Sequence, residues 1–479
     1  MIKTKKKLNL TVPARASVWY SAVAILEKGA SLIFTPIFTR LLTAREYGIY
    51  SLYTSWMGIF TVFCTLEISG NAIYRGLLKF REKTDTFISS SLGLITTASF
   101  TSLCLYLIFR GKINLLTGLE TGFCVLLILQ IFLSGIQNLY LGKCKFFYDY
   151  KSANIINLIF SLFSPLMSIA LISLLKIGAL GRIIAPIIVS ASLAIPLLIK
   201  ILKKEQRLFD VKIWKYLFKF LLPLLPYFIA STVISQSGRI IIGRFLGKEE
   251  LGKYSVAFSV GFIISLISGA ISSALHPWII RKLDAKRGDL TDGTSEKLFA
   301  LISFAALGML ALLPEIFRIL APGEYYSAIA VVYPITICAT VGFLTSILSA
   351  YIGYFEKNYL LTLNALTVAA LSLSLNLIFT VNYGYICAAF IHLFCSIILF
   401  ILNYISLNMI SHGDCFRLAG KIKHLILVSS LSIILYLFRG VQISRMLLLL
   451  VIILFILPIA MQCKNLMLEK RINEKQVNN

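Results

Sequence analysis

Acidic side chains, histidine and cysteine at ligand spacing are what this sequence has least of. Its 21 Asp and Glu stand against 46 Lys and Arg, and only 4 histidines occur in 479 residues. His276, His412 and His424 show no ligand spacing, and the nine cysteines fall mostly within apolar runs without a CxxC pair. A disulfide framework and a metal site are therefore not indicated, and cysteines of this kind behave as small hydrophobes. No Gly-rich phosphate loop closing on Lys-Ser/Thr occurs, so no ATP-binding domain and no cofactor are expected. The long external loop and paired carboxylates that membrane glycosyl transfer would need are missing as well. No catalytic residue is expected, and the chain does not read as an enzyme.

What is present is apolar sequence. Hydrophobic residues make up 58% of the chain, and the mean hydropathy is +0.86. A helix crosses the hydrocarbon core with about 20 apolar residues, and about 14 such runs can be drawn. They lie near 17–38, 48–70, 88–109, 121–141, 153–175, 183–202, 217–240, 254–276, 298–320, 328–350, 359–381, 385–405, 422–438 and 446–463. The fold class that follows is all-α, a polytopic membrane protein. The basic amino terminus, MIKTKKKLNLTVPAR, leads into a first run too long for a signal-peptide core, so it is read as a span that stays in place.

The net charge of +25 would suggest nucleic acid in a soluble protein. Here the basic residues fall in short scattered loops, which orient helices instead. Placing the amino terminus in the cytoplasm puts about 32 basic residues inside and about 13 outside. The inner loops then include 75–83, 200–219, 281–297 and 417–423, and both termini are cytoplasmic. The longest hydrophilic segment, about 276–297, reads as a solvated linker.

One stretch occurs twice. TRLLTAREYGIYSLYTSW at 39–56 and GRFLGKEELGKYSVAFSV at 243–260 align at a constant offset. The alignment pairs Arg40 with Arg244, Glu46 with Glu250, Gly48 with Gly252, Tyr50 with Tyr254, Ser51 with Ser255 and Ser55 with Ser259. The offset spans six helices, an even number, so both copies start on one side of the membrane as a parallel repeat. The domains expected are a six-helix lobe at 1–205, a second at 206–410, and two further helices with a cytoplasmic tail at 411–479. Gly48 and Gly252 allow a close or left-handed turn. Tyr50 and Tyr254 suit the interfacial layer, and Arg40 and Arg244 read most simply as interface anchors.

Ionisable residues deep in a membrane are functional candidates by default. Glu27 and Lys28 lie near the middle of the first run. Lys28 shares a polar stripe with Ser17, Ser21, Ala24, Ser31 and Thr35, as a helix facing a wet cavity would. In the seventh run, Pro223 and Pro226 can kink the helix, and Arg239 lies about 7 Å deeper than Arg244 at the helical rise. Lys28 and Arg239 are the candidate substrate-binding cations for a phosphate or pyrophosphate, and Arg75 is a third at the inner mouth. Glu27 is the ion-coupling candidate, because a carboxyl taken out of water can exchange a proton during a cycle. Glu67 is expected to pair with Arg75 or Lys28. His392 reads as a helix contact. Asn154, Asn157, Gln137 and Asn138 are expected to bond across helices, with sugar contact the minor alternative.

On the repeated motif, together with LPLLPYFIASTVISQSGRIIIG between the halves and LAPGEYYSAIAVVYP at 320–334, the chain resembles the Wzx-type polysaccharide flippases. These form a branch of the multidrug, oligosaccharidyl-lipid and polysaccharide exporter superfamily. The resemblance implies two six-helix lobes about a central cavity, alternating access, and a bacterial inner-membrane location. It implies an undecaprenyl-pyrophosphate-linked oligosaccharide as substrate, of O-antigen or capsule type, moved from the inner to the outer leaflet. It further implies a proton or sodium ion as coupling species, polysaccharide polymerase and chain-length proteins as partners, and no nucleic acid. The alternative within the superfamily is a cation-coupled multidrug efflux antiporter, which would favour acidic cavity residues over the pair Lys28 and Arg239.

Overall fold

In lipid every backbone polar group must be satisfied within the segment, which leaves the helix as the way to build such apolar runs. The computed structural model describes residues 12–285, 288–321, 323–411, 416 and 418–437, and every element among them is helical. The chain divides into two compact units. The first runs to Gln236 and includes 247–251; the second comprises 237–246 and the chain from Gly252.

The first unit opens with α1 (Val12–Leu41), α2 (Ala44–Thr65) and the short α3 (Ile73–Lys79). There follow α4 (Thr84–Ile108), α5 (Arg110–Thr117), α6 (Thr121–Phe146), α7 (Tyr150–Leu175) and α8 (Gly178–Lys204). The unit closes with α9 (Val211–Leu221) and most of α10 (Leu225–Ile241). Within it α1 packs on α7, α7 on α8, and α6 receives α2, α4 and α8. Two buried side-chain bonds hold α2 in place. Tyr53 donates to Gln130 Oε1 of α6 at 2.7 Å, and Trp56 Nε1 donates to the Thr117 carbonyl at 3.0 Å.

The second unit begins with the end of α10 and contains α11 (Lys248–Gly261) from Gly252 on, then α12 (Ile263–Asp284) and α13 (Gly288–Ala311). Next come α14 (Leu313–Leu320), α15 (Val332–Tyr354), α16 (Asn358–Leu375) and the single turn α17 (Val381–Tyr383). The last described helices are α18 (Tyr385–Ser411) and α19 (Ala419–Leu437). In the apolar 18-residue window of Gly323–Tyr354, 89% is buried, against 17% in that of Tyr150–Leu175. That contrast makes α15 the core of its unit, with α12, α13, α18 and α19 around it, and leaves α7 with an apolar face for lipid.

The protein is an all-α polytopic membrane protein. Ten described helices are long and apolar enough to cross a membrane, or eleven if the bent pair α9 and α10 forms one span. These eleven correspond to the third through thirteenth expected runs. The first two expected spans, α1 and α2, are helices of 30 and 22 residues that stand outside the ten. Tyr, Ser and Thr dilute the second. The fourteenth, 446–463, lies outside the described residues.

The interruptions are informative. The expected kink at Pro223 is there, as a bend of 52° between α9 and α10. The second run instead breaks at Leu66 and Glu67, both in the left-handed region with φ of 51° and 54°, before a π-helical turn over Ile68–Ala72. The eighth run is divided at Phe262. The supposed linker at 276–297 is largely helix, because α12 continues to Asp284 and α13 starts at Gly288. Its Asp292 takes up Lys421 of α19, a lysine with no solvent exposure.

The repeated motif acquires a structural meaning. In the first copy Thr43 and Glu46 form a capping box at the start of α2. The Thr43 backbone N–H donates to Glu46 Oε2 at 3.0 Å, and the Glu46 N–H donates to Thr43 Oγ1 at 3.3 Å. In the second copy Gly247, with φ of 105°, stands where Thr43 does. Ser55 and Ser259 each donate to the carbonyl four residues back, Ser51 and Ser255, at 2.8 Å in both copies. Gly48 and Gly252 are buried within α2 and α11 and are not turn residues. Arg40 and Arg244 are exposed, as anchors should be.

Candidate functional site

A cavity of about 440 Å³ opens among α1, α2, α6, α7 and α8 of the first unit, within the range of about 300–1,000 Å³ usual for small-molecule sites. Each helix contributes something its apolar sequence does not require for packing. From α1 come Glu27, Phe34 and Phe38, and from α2 comes Tyr50 of the repeated motif. From α6 come Gln137 and Asn138, from α7 Asn157, Phe160 and several serines, and from α8 Arg182.

Arg182 is the best defined of these. Its guanidinium carbon lies 4.1 Å from the Phe38 ring, 4.5 Å from Tyr47 and 4.0 Å from Tyr50. Each ring face carries negative quadrupolar charge and attracts the cation, so α8 is tied to α1 and to the repeated motif on α2. Its Nη1 is buried and has no hydrogen-bond partner among the described residues. Gly178 lets α8 start this close. It takes φ of 50°, and a Cβ there would overlap the Glu46 carboxylate. The capping residue of the repeat thus also sets where Arg182 sits.

Two prolines shape the walls. Pro165 and Pro186 lie inside α7 and α8, and each removes the hydrogen bond to the carbonyl four residues earlier. The carbonyls so freed belong to Ser161 and Arg182, both lining the cavity. Irregular backbone at membrane depth is tolerated where it lines a cavity of this kind.

The amides divide. Gln137 Nε2 donates to the Ser190 carbonyl of α8 at 2.8 Å, the cross-helix bond expected of it. Asn138 and Asn157 make no such bond among the described residues and face the cavity.

The sequence candidates are distributed as follows. Glu27 lines the cavity. Lys28 follows it on α1, with its side chain outside the described residues. Arg75 is exposed on α3 with its guanidinium 5.3 Å above the Phe220 ring of α9. Lys79 is 4.4 Å above Tyr216 on the same helix. Glu67 makes no ion pair with Arg75; it occupies the left-handed break after α2. Arg239 belongs to the second unit, half-buried, 4.2 Å above the Phe258 ring of α11. The His392 ring of α18 lies 5.6 Å from the same Phe258, the helix contact expected of it. Sequence reasoning missed Arg182. The signal was a lone arginine between Gly178 and Pro186 at the start of an otherwise apolar run.

Among solved structures the chain is similar to the lipid II flippase MurJ in an inward closed conformation, with a TM-score of 0.72 and 16% identity over 94% of this chain and 100% of that one. It is similar to a multidrug resistance MATE family transporter of the MOP superfamily in an inward-facing conformation, at 0.66 and 12% over 83% and 99%. A third likeness is to a MOP superfamily transporter from Pyrococcus furiosus described as having a binding pocket of reverse polarity, at 0.59 and 12% over 87% and 96%. At these identities the likeness is one of fold. Comparison with curated proteins gives no match in sequence. The polysaccharide biosynthesis protein family model matches residues 14–283. The resemblance drawn from the repeated motif is thereby borne out in family and in fold, and the chain belongs to the polysaccharide biosynthesis protein family.

Proposed function

We propose that the chain is a flippase that moves undecaprenyl-pyrophosphate-linked oligosaccharide repeat units, of O-antigen or capsule type, from the inner to the outer leaflet of the bacterial cytoplasmic membrane. The observation that carries this reading is the family match over 14–283. The MurJ-like fold and a cavity lined by amides, hydroxyls and one guanidinium support it. The reading is of a transporter, with no bond made or broken. Two lobes, 1–205 and 206–410, alternate access, while 411–479 adds two helices and a tail, and both termini are cytoplasmic. A lipid-linked sugar must carry a hydrated head through about 30 Å of hydrocarbon, so the protein has to supply the polar partners that water otherwise provides.

Within this reading Lys28, Arg75 and Arg239 are the cations for the pyrophosphate, arginine giving paired donors and lysine a point charge. Glu27 is the coupling group, exchanging a proton or sodium ion as the cycle turns. The polymerase and chain-length proteins that extend such a repeat unit are the expected downstream partners. The multidrug antiporter remains the second reading, and Glu27 in the cavity is the observation that favours it. Arg182 in the same cavity is unfavourable for a cationic drug, which would have to enter beside a fixed positive charge.

The test is deletion of the gene followed by analysis of lipid-linked sugars. Accumulation of an undecaprenyl-pyrophosphate oligosaccharide on the cytoplasmic leaflet, with loss of surface polysaccharide, is the expected result. An unchanged lipid pool with raised drug sensitivity would establish the antiporter instead. Glu27→Gln should abolish the pH dependence of transport, and an unaltered pH response would remove Glu27 from the coupling role.

A further inference from the structure

The cavity of the first unit has a donor and acceptor pattern that narrows its ligand. Arg182 holds a guanidinium among three rings with a buried Nη1 that bonds to nothing described. Asn138 and Asn157 offer amides with both ends unbonded among the described residues, and Gln137 retains its Oε1. Phe34, Phe38 and Phe160 add flat apolar wall. A pyranose ring presents hydroxyls that donate and accept along its rim, with apolar C–H faces above and below. Amides for the rim and aromatic rings for the faces suit it. A planar guanidinium suits a planar carboxylate through parallel N–H bonds.

Charge decides between a carboxylate and a phosphate. Among the described lining residues the cavity holds one cation, Arg182, and one carboxylate, Glu27. A singly charged ligand can take Arg182 as its counter-ion. A pyrophosphate would bring two or more negative charges to the Arg182 guanidinium in the same cavity as Glu27, against like-charge repulsion in a poorly screened site.

We propose that this cavity is a sugar site for a carboxylate-bearing ring, a uronic-acid unit of the transported oligosaccharide. Arg182 binds the carboxylate, and Asn138, Asn157 and Gln137 bind ring hydroxyls. The inference rests on the flippase reading and adds the sugar class to it. The competing role for Arg182 is a clamp that only ties α8 to α1 and α2.

The experiment is saturation-transfer NMR on the full chain in lipid nanodiscs, with D-glucuronate, D-glucose and inorganic pyrophosphate as probes. Glucuronate is expected to bind about tenfold more tightly than glucose, the ratio one charge-assisted contact supplies, and pyrophosphate is expected not to displace it. Arg182→Gln should reduce glucuronate to the level of glucose. Asn157→Asp leaves the three-ring clamp intact and sets a second carboxylate in the cavity, so it should weaken glucuronate by a larger factor than glucose. Equal binding of the two sugars by the native chain, or glucuronate preference that survives both substitutions, would leave Arg182 a clamp and overturn the proposal. Displacement by pyrophosphate would also overturn it, giving the site to the lipid head group. If glucuronate binds as expected but gene deletion leaves lipid-linked sugars unchanged, the flippase reading fails and the sugar site stands.

Discussion

The two copies of the repeated helix do related things by different means. In the first, Thr43 and Glu46 cap α2 with a reciprocal pair of bonds, and Tyr50 faces an open polar cavity against Arg182. In the second, Gly247 replaces the capping threonine with a left-handed backbone, and Tyr254 is only 2% exposed. Each copy sets an aromatic ring against a guanidinium, but the cation comes from α8 in one unit and from α10 in the other. Around Arg239 the neighbouring polar groups satisfy each other. Ser237 bonds Ser372 at 2.9 Å, Asn376 bonds the Ser372 carbonyl at 2.8 Å, and Thr380 bonds Asn376 at 2.9 Å. In the first unit Tyr50 and Arg182 instead line a cavity together with Asn138 and Asn157. Duplication has thus preserved the helix and its internal serine bonds, while the side chains packed around it diverged.

Substitutions can break this comparison in order of size. Arg182→Ala removes three ring contacts and should lower stability by about 2 kcal/mol or more, whereas Arg239→Ala removes the contact with the Phe258 ring and should cost about 1 kcal/mol. Thermal unfolding of the two purified variants in one detergent measures the difference, and equal losses would erase the asymmetry. Gly178→Ala comes next. Its left-handed backbone costs a residue with a Cβ about 1–2 kcal/mol, and the overlap with Glu46 should loosen the cap of α2 as well. A variant as stable as the native chain would show that α8 does not need that close approach. Smallest are Ser55→Ala and Ser259→Ala, each removing one bond within a helix. They should change stability by about 0.5 kcal/mol or less, and by the same amount in both copies. Unequal effects would mean that the repeat is conserved in sequence without equivalence in structure.

Much of the fold was legible because it depends on averages. Apolar run length located the third through thirteenth spans, and the repeat was visible because its matches are polar residues in apolar surroundings. Pro223 marked its kink for the steric reason proline always carries. The break at Leu66 and Glu67 had no such marker, since two left-handed residues that are not glycine contradict local preference and are held by their packing. The segment 276–297 looked like a linker because it is hydrophilic, yet helices extending past the membrane need no apolar residues. In the site, Glu27 stood out as a charge in mid-span. Arg182 did not, because a cation one turn inside a helix is what an interfacial anchor looks like in sequence. Only the arrangement of Phe38, Tyr47 and Tyr50 around it distinguishes the two roles.

The most direct measurement is translocation by the purified chain in proteoliposomes loaded with undecaprenyl-pyrophosphate oligosaccharide, read by the access of an impermeant lectin. The native protein should move the lipid across the bilayer, and Lys28→Glu should remain folded and inserted while moving none. A native chain that leaves the lipid in its original leaflet would contradict the flippase reading outright, and a Lys28→Glu variant that transports at the native rate would take Lys28 out of the site.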